Sequence, residues 1–192
     1  MVIQVHRIIE RTKMAGPGYR FCLWVQGCSR HCDGCMAVET WPFDAGMPME
    51  TDCVFNLIAA TPNIEGVTFL GGEPFEQAEA VGDLAEKVKH EGMSVTVFTG
   101  YVYDELIAKN DSNIKHLLEM TDLLIDGPFI REQFDLNRPW VGSANQRYLF
   151  LTDRYSEDDL KDINNQIEVR ISPDGKTLIN GMGDFSKIRK LI

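Results

Sequence analysis

The 192-residue sequence has no long apolar run and little positive charge. No stretch approaches the roughly 18 consecutive apolar residues of a membrane-spanning helix, and the first residues, MVIQVHRIIERTK, carry charges where a signal peptide needs an apolar segment. We therefore expect a cytoplasmic protein with no membrane association. Lysine and arginine number 19 against 29 acidic residues, which argues against nucleic acid as a partner because phosphates call for clustered positive charge.

The sequence also lacks an even set of cysteines. It contains five, and in a cytoplasmic chain, where thiols stay reduced, an odd number favours metal binding or catalysis over disulfides. Three of them form the pattern Cys28-x3-Cys32-x2-Cys35 in the segment WVQGCSRHCDGC, with no fourth cysteine nearby. Cys22 and Cys53 stand apart, and we expect each to point into the core as a small apolar side chain.

Three cysteine ligands are one fewer than a closed metal site uses. Structural zinc sites usually take four protein ligands in two separated pairs, and 4Fe–4S clusters are normally held by four thiolates. Three thiolates would leave one iron of such a cluster open to a ligand that is not protein. We favour this open cluster over two alternatives, which are a zinc site with water in the fourth position and three reduced cysteines without metal.

Charge is unevenly distributed along the chain. Residues 1 to 35 hold five Lys/Arg against two acidic residues, whereas the rest of the chain holds 14 against 27. The cysteine loop is therefore a cationic region on an acidic protein. This region is either an ordinary solvated face or a docking site for an acidic flavodoxin or ferredoxin that delivers an electron.

Hydrophobic periodicity predicts strands that alternate with helices in one domain. Strands are expected at 20–26, 66–70, 93–98, 121–126 and 146–152. Helices are expected at 51–60 with Thr51 as N-cap, at 76–92, in two pieces between 104 and 120 with a break near Asn110, and at 156–163. The segments IEVRIS and KTLIN, joined by the turn PDG, predict a β-hairpin.

This alternation predicts an α/β fold with a parallel sheet, in which ligands sit at the carboxyl ends of the strands. Four unusual loops follow predicted strands, and we expect them to form one site: the cysteine loop, GGEP (71–74), TGY (99–101) and DGPF (126–129). A complete eight-stranded barrel needs about 250 residues, so we predict an incomplete TIM-like β/α barrel over residues 1–152. Residues 153–192 are predicted to form a C-terminal extension that contains the hairpin.

The three cysteines together with Gly71-Gly72-Glu73-Pro74 resemble the radical S-adenosylmethionine superfamily. The resemblance implies that Cys28, Cys32 and Cys35 hold a 4Fe–4S cluster whose fourth iron is chelated by the methionyl amine and carboxylate of S-adenosylmethionine. It further implies that one electron splits this cofactor into a 5′-deoxyadenosyl radical, which removes hydrogen from a substrate.

The resemblance also suggests residues that contact S-adenosylmethionine. The GGEP turn would meet its methionine part, because glycines let the backbone approach a ligand and Glu73 can accept a hydrogen bond from an ammonium. Thr99, Asp126 and Arg147 lie near the ends of later strands, where they could reach the ribose or the amine. Thr99 and Asp126 are equally compatible with a role in a cap or a turn, and the case for Arg147, which begins a strand, is weaker.

Further segments resemble the glycyl-radical-enzyme activases, and within them the group that activates anaerobic ribonucleotide reductase. These segments are GPGYRFCLWVQGC, ETW, FTGYVYDEL, DGPFI and RPWVGSANQRY, in order over about residues 15 to 150. The resemblance implies a large partner enzyme whose glycine loses a hydrogen atom, and a macromolecular substrate could cover the open barrel. Met36-Ala37-Val38 stands where the superfamily pattern has His-Asn-Pro, and Gly34 stands where many members have an aromatic residue, although glycine here also resembles the activase group. Residues after 152 lie outside the resemblance. Two alternatives remain: a radical enzyme that modifies a peptide or small molecule, and a non-enzymatic iron–sulfur or zinc protein.

Overall fold

A computed structural model describes residues 1–183, which form one large sheet, a small hairpin sheet and four helices. The strands are β1 (Val2–Thr12), β2 (Arg20–Val25), β3 (Met47–Glu50), β4 (Gly66–Gly71), β5 (Ser94–Phe98), β6 (Leu123–Asp126), β7 (Arg147–Phe150), β8 (Ile167–Ile171) and β9 (Thr177–Gly181). The helices are α1 (Thr51–Ala60), α2 (Ala78–His90), α3 (Tyr103–Ala108) and α4 (Ser112–Met120). Within this described range, no helix is long and apolar enough to cross a membrane.

The large sheet is parallel at its centre and antiparallel at both edges. Its strand order is β3-β1-β2-β4-β5-β6-β7, and the neighbours among β2, β4, β5 and β6 pair in parallel. Strands β1, β3 and β7 pair antiparallel to their neighbours. The prediction of a parallel sheet is therefore right for the four central strands and wrong for the edges. The predicted hairpin is confirmed as β8 and β9.

Some local predictions fail for identifiable reasons. Strands β1 and β3 were not predicted, although Ile3 and Val5 of β1 are buried between more exposed residues, as expected for a strand with one buried face. The helix expected at 156–163 is a single 3₁₀ turn, Glu157–Leu160, since its acidic residues leave only Leu160 to bury. Thr51 is the first residue of α1 and not its N-cap, and its hydroxyl donates to Asp83 at 2.6 Å.

The helices pack against one face of the sheet. Alternation along β2 sends Phe21, Leu23 and Val25 toward that face, and Cys22 and Trp24 toward the opposite one. The helix-covered face holds the largest apolar core, to which α1, α2 and α4 contribute their buried sides. Burying this core supplies most of the favourable free energy of folding.

The opposite face, called here the inner face, is partly covered by the end of the chain. The connection between β6 and β7 places Trp140 and Val141 there, and the segment after β7 adds Tyr155 and Leu160. Leu178 of the hairpin packs on a second inner-face group that includes Trp24. The extension predicted for residues 153–192 thus covers part of the inner face as far as residue 183, and its remainder lies outside the described residues.

Candidate functional site

Four loops meet at one edge of the sheet. Because β2, β4, β5 and β6 run parallel and side by side, the segments that follow them emerge at the same carboxyl edge. These segments are the cysteine loop, GGEP, TGY and DGPF, as the sequence analysis predicted. Hydrogen bonds between the loops make the edge one connected site.

The cysteine loop presents three reduced thiols. Cys28 is buried, Cys32 and Cys35 are half-buried, and all three are free. The amide of Cys35 donates to the carbonyl of Cys32 at 3.1 Å, and the amide of Ala37 points at Cys35 Sγ at 3.4 Å. Burial raises the pKa of the Cys28 thiol, while backbone amides of the loop act in the opposite direction. A ligand that takes the thiolate offsets the cost of this burial.

No group of three or more His, Cys, Asp or Glu side chains within residues 1–183 converges closely enough to hold one metal ion. A 4Fe–4S cluster makes a different demand, because each thiolate binds a separate iron. The donor set of three thiols therefore fits a cluster with one iron left open to a ligand that is not protein.

The departure at Gly34 has a local explanation. Gly34 has φ of +76°, a left-handed conformation that L side chains rarely adopt, and an added Cβ would lie 2.8 Å from Nε of Arg131. Arg131 in turn reaches Asp33 at 3.4 Å. The left-handed backbone, more than the contact with the movable Arg131 side chain, therefore favours glycine over an aromatic residue at position 34.

Backbone hydrogen bonds join the GGEP turn to the start of the cysteine loop. The amide of Gly72 donates to the carbonyl of Val25, and the amide of Glu73 donates to the carbonyl of Gly27, each at 2.9 Å. A Cβ on Gly72 would lie 2.3 Å from the carbonyl oxygen of Gly27. The glycine is thus needed for the close approach of two protein segments, a reason that the sequence analysis did not consider.

The side chain of Glu73 points inward and is fully buried. Its carboxylate accepts from the amide of Phe75 at 3.0 Å, the hydroxyl of Thr99 at 2.9 Å and the amide of Gly100 at 2.8 Å. Burial raises the pKa of Glu73 to about 7, although these three donors favour the ionised form. Glu73 therefore joins the GGEP turn to the TGY loop, and the predicted contact with an ammonium would be made in addition to these bonds.

Asp126 and Arg147 form an ion pair across the ends of β6 and β7. Arg147 donates through Nε to Asp126 at 3.0 Å and through Nη2 at 2.5 Å. The fully buried carboxylate of Asp126 also accepts from the amide of Tyr103 at 2.8 Å. Half of the Arg147 side chain remains exposed, so the pair has one buried and one accessible partner.

A further cluster at this edge was missed by the sequence analysis. Glu76 accepts hydrogen bonds from Ser29 of the cysteine loop and from the hydroxyl of Tyr101 at 2.8 Å. The Tyr101 ring lies between Arg30 at 4.6 Å and Lys109 at 4.2 Å, both within cation–π range. No sequence signal identifies this cluster, because its members come from four separate segments.

The basic residues of the first 35 positions do not form one patch. Arg20 is fully buried, and its guanidinium donates to oxygens of Pro17, Val67, Thr68, Ser94 and Tyr155. Arg11 and Lys13 stack on Tyr19 near the other end of β2, away from the cysteine loop. Of the five residues counted in the sequence, Arg30 is the one that lies within the cysteine loop.

The two isolated cysteines differ in burial, and one tryptophan contacts the cysteine loop. Cys22 is buried as expected, and burial raises its thiol pKa to about 12. Cys53 is exposed, so the prediction of a core position is wrong: α1 buries Thr51, Val54 and Ile58, a stripe that excludes Cys53. Trp41 stacks on His31 of the cysteine loop, with ring centres 4.5 Å apart.

Comparison with known proteins gives a consistent result. Residues 14–149 match the family model described as "4Fe-4S single cluster domain". An anaerobic ribonucleoside-triphosphate reductase-activating protein from Haemophilus influenzae is 37% identical over 139 residues, covering 68% of this chain and 87% of the relative. The protein of the same name from Escherichia coli K12 is 31% identical over 139 residues, covering 68% and 88%.

A solved structure, QueE from Escherichia coli, is 17% identical and superimposes with a TM-score of 0.43 over 52% of this chain and 53% of that one. A superposition of about half of each chain at this score adds nothing to the sequence matches.

Proposed function

This chain belongs to the family of anaerobic ribonucleoside-triphosphate reductase-activating proteins, and we propose that it activates such a reductase by removing a hydrogen atom from one of its glycines. It is a radical S-adenosylmethionine enzyme, with a 4Fe–4S cluster and S-adenosylmethionine as cofactors. When bound, these cofactors supply the 5′-deoxyadenosyl radical.

The observation that carries the proposal is the pair of backbone hydrogen bonds that join GGEP to the start of the cysteine loop. Cys28, Cys32 and Cys35 are the proposed cluster ligands, and the bonds from Gly72 and Glu73 hold the next loop directly beside them. Two segments that must meet one ligand from different sides are thereby fixed before it binds, which reduces the ordering cost of binding.

We assign contacts with S-adenosylmethionine to Gly71, Gly72, Glu73 and Pro74 of the turn, and to Thr99, Asp126 and Arg147. In this assignment the two glycines offer backbone atoms, and Glu73 fixes the TGY loop through Thr99 and Gly100. Asp126 and Arg147 lie at the far end of the same edge, where paired charges can orient polar groups of a ligand.

The sheet supports an incomplete TIM-like barrel as the finer description of the fold. Strands β2, β4, β5 and β6 follow one another in space in chain order, and their helices all pack on one face. A barrel wall is built in this way, whereas a doubly wound sheet reverses its strand order and carries helices on both faces. In this description residues 1–152 form the barrel domain and residues 153–192 its extension.

A protein partner at this edge is supported by apolar side chains that surround the cysteine loop. The loop and its continuation expose Met36, Val38 and Phe43, and the connection between β6 and β7 exposes Phe134. Exposed apolar residues that are grouped in this way favour contact with another protein. We further propose that an acidic flavodoxin or ferredoxin delivers the electron in the cytoplasm and approaches near Arg30 and Lys109, since Arg30 lies in the cysteine loop and both cations lie against the Tyr101 ring.

The test begins with anaerobic reconstitution by iron and sulfide, followed by reduction with S-adenosylmethionine present. The wild-type protein should bind roughly four irons and release 5′-deoxyadenosine, measured by chromatography. Cys32→Ala should bind almost no cluster and release no 5′-deoxyadenosine, while its helix content stays unchanged because the loop lies outside the core. Cys53→Ala is the matched control, since Cys53 is exposed on α1, and should behave as wild type.

The partner is tested by adding an anaerobic ribonucleoside-triphosphate reductase to the reduced mixture. A glycyl radical should appear in the electron paramagnetic resonance spectrum of the reductase with wild type and Cys53→Ala, and should not appear with Cys32→Ala. Release of 5′-deoxyadenosine without any radical on the reductase would favour a different substrate. Failure of wild type to bind iron or cleave S-adenosylmethionine would contradict the proposal as a whole.

A further inference from the structure

One row of side chains on the inner face lies directly below the site. Arg7 of β1 pairs with Trp24 of β2, and Trp24 pairs with Leu70 of β4. Leu70 immediately precedes Gly71, and Phe98 of β5 immediately precedes Thr99. Leu70 and Phe98 are only half-buried and pack on the inner-face group that contains Trp24. We call these four residues the floor of the site, and Arg7 is its one charged member.

The guanidinium of the half-buried Arg7 lies against an aromatic ring, and its Nε has no polar partner among the described residues. Its Cζ lies 4.2 Å from the centre of the Trp24 ring, so the indole supports the plane of the guanidinium. Its Nε is buried and, among residues 1–183, has no hydrogen-bond partner. No carboxylate of the described residues lies within 4.0 Å of Arg7, and Glu39, which acts on it over a longer distance, is 4.0 Å from His6.

Two other arginines of the described residues have acceptors for their guanidinium groups. The fully buried Arg20 donates to six acceptor atoms on five residues, and the half-exposed Arg147 makes a two-point contact with Asp126. A buried donor without an acceptor costs about 1–3 kcal/mol, so such a group usually has a ligand or a function. Arg7 is the exception, and it lies beside the site.

We propose that Arg7 is a carboxylate-binding residue at the floor of the site. A guanidinium presents paired N–H donors that match a carboxylate, and the apolar Trp24 ring against it strengthens this attraction by excluding water. The proposal rests on the proposed function, which offers two sources for the carboxylate. One is the methionyl group of S-adenosylmethionine, and the other is an acidic side chain in the reductase segment that carries the glycine.

The experiment compares Arg7→Gln with Arg11→Gln in the reconstituted protein. Arg11 is the matched control, because it also stacks on an aromatic ring of this region, Tyr19 at 3.3 Å, but lies toward the other end of β1. Affinity for S-adenosylmethionine is measured by equilibrium dialysis. Affinity for the reductase is measured by titration, both as direct binding and as the KM for glycyl-radical formation.

Arg7→Gln should weaken one of these two affinities by about tenfold or more, as expected for a lost charge-assisted hydrogen bond, while Arg11→Gln leaves both unchanged. Weaker binding of S-adenosylmethionine assigns the carboxylate to the cofactor. A higher KM for the reductase, with unchanged binding and cleavage of S-adenosylmethionine, assigns it to the partner. Wild-type values in both measurements overturn the proposal.

Arg7→Met provides a second variant, because methionine keeps an apolar stem on Trp24 and removes the charge. If circular dichroism shows that Arg7→Gln does not fold, the same two affinities of Arg7→Met decide the question. Wild-type protein that binds both ligands but fails to cleave S-adenosylmethionine would refute the proposed function, and the dialysis and binding measurements would still test Arg7.

Discussion

Replacing Glu73 by glutamine tests whether its buried carboxylate sets a pH dependence of folding. All three groups that contact the carboxylate are donors: the amides of Phe75 and Gly100 and the hydroxyl of Thr99. Glutamine offers one acceptor oxygen and one NH2 group, so its oxygen can serve Phe75 and Thr99 while its NH2 group faces the amide of Gly100. The variant thus loses one hydrogen bond but no longer buries a charge.

The sign and size of the effect follow from the pKa. Burial raises the pKa of Glu73 to about 7 in the folded protein, from 4.5. The folded state therefore holds the proton more tightly. The contribution of Glu73 to stability is fully present below pH 4.5 and is lost as the pH rises through 7. At about 1.4 kcal/mol per pKa unit, the loss for wild type is roughly 3 kcal/mol over this interval. Glu73→Gln has no proton to lose at this position and should lack that loss.

Urea denaturation of the cluster-free, reduced protein at several pH values between 4.5 and 8 measures the effect. Other carboxylates titrate in the same range, so the informative quantity is the stability of wild type minus that of Glu73→Gln. This difference should fall by roughly 3 kcal/mol as the pH rises. Glu79→Gln on the exposed surface of α2 is the control and should follow wild type at every pH. Parallel curves for wild type and Glu73→Gln would refute the reasoning.

Two further predictions concern the contacts of the extension. Tyr155→Phe removes a hydroxyl that accepts a hydrogen bond from Arg20 at 3.2 Å and also contacts Ser94 and Glu65. Urea denaturation should therefore show that the free energy of unfolding falls by about 1–3 kcal/mol. A change below about 0.5 kcal/mol, which is the range of ordinary surface substitutions, would contradict this prediction. Asn165→Ala removes bonds to the amide of Trp140 and to the carbonyls of Leu136 and Arg138, and should cost about 2 kcal/mol and speed amide hydrogen exchange in residues 135–146. The exposed Asn164→Ala is its control, and equal exchange in the two variants would contradict the prediction.

The central sheet could be predicted because its strands carry a local signal. β4, β5 and β6 are short apolar runs bounded by Gly, Pro or Thr, and buried parallel strands have this composition. The direction of β7 could not be predicted, since antiparallel pairing with β6 depends on where the long intervening loop returns the chain. The same holds for β1 and β3, whose partners are set by tertiary packing.

The composition of the site was predictable where one segment carries the pattern, as in the cysteine loop and GGEP. The orientation of side chains was not. The GGEP motif does not indicate that the side chain of Glu73 turns inward. Its contacts with Thr99 and Gly100 are made across sequence separations of 26 and 27 residues. The position of Arg7 could not be predicted either. In the sequence Arg7 is one of several basic residues, and only the pairing of β1 with β2 places it beside the site.

The C-terminal extension limits how a partner can reach the site. An open inner face would admit a protein segment from below as well as from the carboxyl edge. Here Trp140, Tyr155 and Leu160 pack over the β6 side of that face, and Leu178 of the hairpin packs over the β2 side. The edge that holds the cysteine loop keeps exposed apolar side chains, Met36 and Phe43 among them. A glycine-bearing segment of the reductase, the proposed partner, would therefore meet this apolar edge and the uncovered middle of the inner face, where Leu70 and Phe98 are half-buried.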